Sequence, residues 1–210
     1  MSLYYPIMLK LKGRSCKVIG GGKVAERKVI SLLDYGADIT VISPNITTTL
    51  HNLAGENKII YIKRDYRPGD LRNCYLAYAL TDNPDVNKQC YQEAQVNNTF
   101  INMADSEELS DFILPASINR GNLTITVSTE GKSPMLSGKI RRDLESLYGE
   151  EYGCIVDTLG DIRSKALNEI ISIKDRRELF RQLVYDIDFN NSIDDIKKDM
   201  WSIYECFKES

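Results

Sequence analysis

The sequence predicts an α/β fold. It reads as a parallel sheet with helices on both faces, then a small α+β part, then a helical C-terminal part. Three observations predict it. Short apolar runs alternate with amphipathic stretches in the first half, the pattern of βαβ units. A triple glycine, Gly20-Gly21-Gly22, stands between the first such run and the first amphipathic stretch. After Asp111 the alternation stops, and from Glu151 onward the chain reads as charged helix with no glycine beyond Gly160.

Lys17, Val18 and Ile19 form the first buried strand of this reading. A helix over 24–35 follows, its apolar stripe made by Val24, Ile30 and Leu33 with Ala25, Val29 and Leu32. Those spacings bring side chains to one side of a 3.6-residue helix. Gly36 falls where a helix end takes glycine. A second strand covers 39–42 and Pro44 closes it. Further strands are expected at 59–63, 76–79 and 100–102, with a helix over 84–96 between the last two. In the next part, strands over 113–116 and 123–127 are joined through Asn119-Arg120-Gly121-Asn122, and a helix starts at Pro134. Residues of that kind favour turns. The expected domains are 1–112, 113–148 and 149–210.

Composition narrows the function. A net charge of −3 argues against a nucleic-acid binder that uses its whole surface. Five widely spaced cysteines, with no C-x-x-C pair, suit reduced thiols rather than a disulfide framework or a zinc site. His51 is the single histidine, so a metal centre built on several histidines is excluded and no metal site is expected. The first twelve residues hold two lysines and no uninterrupted apolar core of a signal peptide. No apolar run approaches the roughly 18 residues that span a bilayer. A cytoplasmic location is expected, with neither nucleic acid nor membrane as partner.

Gly20-Gly21-Gly22-Lys23-Val24-Ala25 matches G-x-G-x-x-A between a strand and a helix, the setting in which that motif binds a dinucleotide. Gly20 allows the tight turn, Gly22 lets the backbone approach a pyrophosphate, and Ala25 keeps the helix close to the sheet. The first part is therefore expected to be a Rossmann domain. The N–H groups near Lys23 and Val24 face the phosphates in this reading. The acidic residue that usually meets the ribose is missing, since Ser43-Pro44 stands in its place. No Lys or Arg lies between Ser43 and Asn57, which leaves a 2′-phosphate without a cation and favours NAD over NADP. The expected cofactor contacts are Gly20, Gly22, Lys23, Val24, Ser43, Pro44, Asn45 and Thr81.

Several segments together resemble the precorrin-2 dehydrogenase family. They begin with Val18-Ile19-Gly20-Gly21-Gly22-Lys23-Val24-Ala25-Glu26-Arg27-Lys28 and Val41-Ile42-Ser43-Pro44. Ala79-Leu80-Thr81-Asp82-Asn83-Pro84 with Val86-Asn87 follows, then Ile101-Asn102-Met103-Ala104-Asp105 with Phe112-Ile113-Leu114-Pro115-Ala116. The last is Arg120-Gly121-Asn122-Leu123 with Val127-Ser128-Thr129, Gly131 and Lys132-Ser133-Pro134. The likeness covers roughly residues 4–148, in order. It implies NAD-dependent oxidation of precorrin-2 to sirohydrochlorin, a central domain through which two chains interlock as a homodimer, and a helical C-terminal domain.

The resemblance puts an active-site aspartate at Asp105. That residue follows an expected parallel strand at its carboxyl end, where open α/β sheets bind ligands. Dehydrogenation removes a hydride and a proton, so a carboxylate there suits a general base; an ordinary loop aspartate is the competing reading. Glu107, Glu108 and Asp111 are expected to be solvated. Precorrin-2, also implied by the resemblance, is an apolar macrocycle with several carboxylates and calls for cations and donors. Between Arg120 and Arg142 stand Arg120, Lys132, Lys139, Arg141 and Arg142, against Glu130 alone. The expected substrate contacts are Asn102, Arg120, Ser128, Thr129, Lys132 and Ser133. The same cations equally suit a helix face that meets water or an acidic partner helix. In the tail, Tyr185, Phe189, Trp201, Tyr204 and Phe207 are expected in the core or a subunit contact. Two other functions stay open at this point: a dehydrogenase that also inserts iron into its product, and a regulatory module that senses NAD without chemistry.

Overall fold

A computed structural model describes residues 4–104, 106 and 108–208. The chain forms two compact units, Met1–Ile113 and Leu114–Ser210.

The first unit contains β1 (Ser15–Ile19), α1 (Lys23–Asp34), β2 (Asp38–Ile42), α2 (Thr48–Gly55), β3 (Ile60–Ile62), β4 (Leu76–Ala79), α3 (Pro84–Asn97) and β5 (Phe100–Met103). Its five strands lie in the order β3-β2-β1-β4-β5, all parallel. Two apolar layers hold the sheet. Cys16, Val18, Ile39 and Val41 pack with Ala25, Val29 and Leu32 of α1 and with Leu50 of α2. Ile19, Ile42, Ala77, Ala79 and Ile101 pack with Cys90 and Ala94 of α3. Parallel strands buried on both faces read as continuous apolar runs, as these do. Each fully buried Val or Ile contributes about 1.5–3 kcal/mol relative to exposure. The chain runs outward from β1 through β2 to β3, then returns to the far side of β1 as β4. The carboxyl ends of β1 and β4 therefore flank the topological switch point, where such sheets open a crevice for ligands.

The α1 stripe is narrower than expected. Ala25, Val29 and Leu32 are buried, whereas Val24 and Ile30 are exposed. Residues 24 and 30 each lie one position, or about 100°, to the side of the buried row, and a single helix on a sheet buries only that row. Helix α2 is an addition to the sequence reading. Thr47 starts it by accepting from the Leu50 N–H at 3.3 Å, and Leu50 is its one buried residue.

The second unit begins with an antiparallel hairpin, β6 (Ala116–Arg120) and β7 (Leu123–Val127). The expected strand over 113–116 is displaced toward the C-terminus, with Ala116 its first residue. Pro115 lacks the N–H that pairing requires. Arg120 pairs directly with Leu123, leaving a two-residue turn with Gly121 at φ +55, a position that favours glycine. Helices α4 (Pro134–Leu147), α5 (Glu151–Glu169), α6 (Ile173–Tyr185) and α7 (Ile193–Lys208) follow. Ile155, Ile162, Leu179, Leu183, Ile196, Met200 and Tyr204 form their core. Phe189, Trp201 and Phe207 pack against it as expected, but Tyr185 stays outside, exposed at the end of α6.

Candidate functional site

Three loops meet at the carboxyl edge of the sheet, and the glycines permit it. Gly20 has φ +116, and its N–H donates to the Ile42 carbonyl at 2.9 Å. A Cβ on Gly20 would lie 2.4 Å from the Leu80 carbonyl oxygen. One on Gly21 would lie 2.1 Å from the Asn45 carbonyl oxygen. The Thr47 N–H donates to the Gly21 carbonyl at 3.1 Å, and the buried Ser43 hydroxyl donates to the Asn45 carbonyl at 2.7 Å. The turn after β1 is thus held between the loops that leave β2 and β4. Ser43 and Asn45 meet it as builders of the loop. Pro44 accepts from the Tyr61 hydroxyl at 3.3 Å.

Gly22 behaves differently. It is the N-cap of α1 with ordinary extended dihedrals, and no atom lies within 4 Å of a Cβ built on it. No side chain caps α1, whereas Thr47, Asn83, Ser133 and Ser172 cap α2, α3, α4 and α6. An uncapped helix start with open space before it offers N–H groups and a positive dipole end to an anion. These residues fit the pyrophosphate of a dinucleotide. Lys23, largely exposed, lies beside the same turn with its ammonium 3.1 Å from Glu26. Hydrogen bonds from Thr47, then Lys23, hold the Glu26 carboxyl below its ordinary value.

Thr81 follows β4 across the crevice, and sequence reasoning missed what holds it. The Asn87 side chain accepts from the Thr81 N–H at 3.3 Å and from its hydroxyl at 2.8 Å, and donates to the Thr81 carbonyl at 3.0 Å. Asn87 is buried on α3. Its only sequence signal was its place in the Val86-Asn87 segment of the resemblance. The Thr81 hydroxyl also lies within bonding reach of Asn83, the cap of α3.

Beyond β5 the loop is tied to the sheet edge. The Asn102 amide donates to the Phe112 carbonyl at 2.9 Å, so here it holds the loop. Asp111 is exposed as expected, yet its carboxylate also accepts from the Ile101 N–H at 2.9 Å. Ser110 accepts from the Met103 N–H, and Ala104 donates to the Ala79 carbonyl. Asp105 and Glu107 lie outside the described residues.

In the second unit, Ser128, Thr129, Lys132 and Ser133 share the loop between β7 and α4. The hydroxyls of Ser128, Thr129 and Ser133 accept from the N–H groups of Glu130, Ser133 and Leu136. Glu130 and Gly131 have φ +52 and +76, a reversal that lets the loop close on itself. Lys132 is exposed. Arg120 is directed elsewhere. It donates to the Tyr148 carbonyl at 3.0 Å and pairs with Glu150 at 3.0 Å, fastening the hairpin to the start of α5. Burial pushes the thiols of Cys16 and Cys90 up to about 12, so neither serves as a nucleophile.

Residues 7–116 match the family described as "Putative NAD(P)-binding", and residues 120–147 match the family of the sirohaem biosynthesis protein central domain. A protein named siroheme synthase from Ruthia magnifica subsp. Calyptogena magnifica is 33% identical over 201 residues, 94% of this chain and 43% of that protein. A second, from Pseudoalteromonas translucida (strain TAC 125), is 36% identical over 177 residues, 84% of this chain and 37% of its own length. The chain thus spans less than half the length of these relatives. A solved structure titled "SirC, precorrin-2 dehydrogenase" superposes with TM-score 0.82 and 28% identity, covering 97% of this chain and all of its own. A crevice that fits a dinucleotide, the two family matches and this likeness over nearly the whole chain agree: the protein belongs to the NAD(P)-binding family matched over residues 7–116, continued by the sirohaem biosynthesis central family over residues 120–147.

Proposed function

We propose that this protein oxidises precorrin-2 to sirohydrochlorin with NAD. The observation that carries the reading is the likeness, over 97% of this chain and all of the other, to a protein titled precorrin-2 dehydrogenase. The open space at Gly22 and the uncapped start of α1 support it from the chain's own geometry. A bound nicotinamide would supply the hydride acceptor for this oxidation. The protein's part is to hold the pyrophosphate on the α1 N–H groups, to fix the Gly20–Leu80 crevice, and to take up the proton released from the macrocycle. Asp105 is the proposed base for that proton. Lys132, with donors from the loop that Ser128, Thr129 and Ser133 build, is the proposed anchor for substrate carboxylates. Arg120 acts by holding the hairpin in this proposal.

NAD is the preferred cofactor in this proposal. The Ser43 N–H donates to the Ile62 carbonyl at the end of β3, and Arg64 follows two residues on. The Arg64 guanidinium is engaged by both oxygens of Asp70, at 2.7 and 2.8 Å, which withdraws it from a 2′-phosphate. Residues 113–148 are proposed as a dimerisation domain. Ile118 is the one buried residue of its hairpin, and Met135, Leu136 and Leu147 of α4 are exposed. A two-stranded hairpin is marginal by itself, and the exposed apolar side chains of α4 leave a face for a second copy. The test is oxidation of precorrin-2 with NAD and NADP in parallel. NAD is expected to give the higher kcat/KM. Equal or better use of NADP would overturn the cofactor assignment, and no sirohydrochlorin with either would overturn the activity.

A further inference from the structure

The inward face of α3 is made by Asn87, Cys90 and Ala94. Cys90 and Ala94 belong to the apolar layer. Asn87, one turn nearer the carboxyl edge, is an amide with 1% of its surface exposed. A buried amide costs free energy unless its donors and acceptors are met, and a leucine would fill the core without that requirement. Three hydrogen bonds of this amide engage Thr81: one from its N–H, one from its hydroxyl and one to its carbonyl. Both polar groups of that backbone residue are thereby fixed to α3. The preceding residue, Leu80, is the one whose carbonyl stands against Gly20, and the Thr81 nitrogen itself would lie 3.4 Å from a Cβ there.

We propose that Asn87 is a positioning residue for the dinucleotide: it locks the Leu80–Thr81 peptide against the Gly20 turn and so sets the width of the crevice that receives the cofactor. This rests on the cofactor reading given above. Without the lock, the loop after β4 keeps its cap at Asn83 but loses the amide that orients the Thr81 peptide. The effect falls on binding, because the crevice must then be ordered by the ligand itself. It therefore appears as a raised KM for NAD with little change in kcat.

The test measures NAD binding by calorimetry to the intact protein and to two variants, with thermal unfolding alongside. Asn87→Ala is expected to weaken NAD binding about tenfold or more. Asn87→Asp is the sharper probe, because it keeps the shape and both acceptor contacts but sets a carboxylate oxygen against the Thr81 carbonyl. Protonation converts that oxygen into a donor and restores the bond to the Thr81 carbonyl. The affinity of Asn87→Asp relative to wild type should therefore recover as pH falls from about 8 to about 5, since burial and the facing carbonyl raise a carboxyl pKa. A general loss of packing has no such pH signature. Wild-type affinity in a folded Asn87→Ala overturns the proposal, as does an Asn87→Asp ratio that stays flat with pH. If Asn87→Ala does not fold, the Asn87→Asp titration decides alone. Failure of the wild type to bind NAD would instead overturn the cofactor reading, and with it this proposal.

Discussion

Gly20 and Leu80 stand so close that a methyl group on the first would lie 2.4 Å from the carbonyl oxygen of the second. Gly22, two residues on, has no neighbour within 4 Å of the same point. The two glycines are thus required for different reasons, and substitution separates them. Gly20→Ala must adopt φ near +116 and push the β4 loop away. It is expected to cost roughly 1–3 kcal/mol of stability from the backbone alone. Gly22→Asp puts a good N-cap residue at a site with suitable dihedrals. Its melting temperature should equal or exceed that of wild type, while NAD binding is abolished by a carboxylate at the pyrophosphate position. Calorimetry and thermal unfolding check both, and unchanged NAD affinity in Gly22→Asp would refute the dinucleotide site.

The Arg64–Asp70 pair predicts a pH dependence of stability. The Arg64 guanidinium, with the Arg67 N–H, holds the Asp70 carboxyl below its ordinary value against the opposing effect of burial. A carboxyl lowered in the folded state stabilises the fold above its unfolded pKa, and that contribution is lost as pH falls through the lowered value. Asp70→Asn should therefore melt lower than wild type at neutral pH, with the gap closing below the ordinary carboxylate range near pH 4. A gap that is the same at pH 7 and in acid would show that the charge of Asp70 contributes nothing.

Assembly is tested by sedimentation. The exposed apolar side chains of α4 and the half-buried strand β7 predict a homodimer at micromolar concentration, and Leu136→Asp is expected to shift it toward monomer. A wild-type protein that sediments as a monomer would contradict the proposed role of residues 113–148.

Asp105→Asn keeps the shape of the side chain and removes its basicity. Turnover should fall by about 10² to 10⁴-fold, with NAD affinity near that of wild type because the proposed pyrophosphate contacts lie at Gly20–Ala25. Loss should appear in kcat more than in KM. Full activity in this variant would mean that the proton leaves by another route.

Features that depend on local chemistry were legible in the sequence. The G-x-G-x-x-A turn, the apolar runs of β1, β2, β4 and β5, and the start of α4 at Pro134 all follow from residues next to one another. Contacts between distant residues were not. Asn87 and Thr81 are six residues apart, but a strand end and a helix separate their roles, and no period marks an inward amide. Arg120 is expected from the sequence among the substrate contacts, yet its partners in the fold, Tyr148 and Glu150, lie about one helix later. Helix α2 was missed because its segment is rich in threonine and asparagine, poor helix formers, and buries only Leu50. The strand over 113–116 was misplaced because apolar character outweighed the missing donor of Pro115.

The most direct test is an anaerobic reaction of the purified protein with precorrin-2 and NAD, in which sirohydrochlorin and NADH are followed together by their absorbance. Removal of one hydride and one proton per macrocycle predicts that the two products appear at the same rate and in equal amounts. Sirohydrochlorin formed without NADH, or no sirohydrochlorin at all, would contradict the proposal that this protein is an NAD-dependent precorrin-2 dehydrogenase.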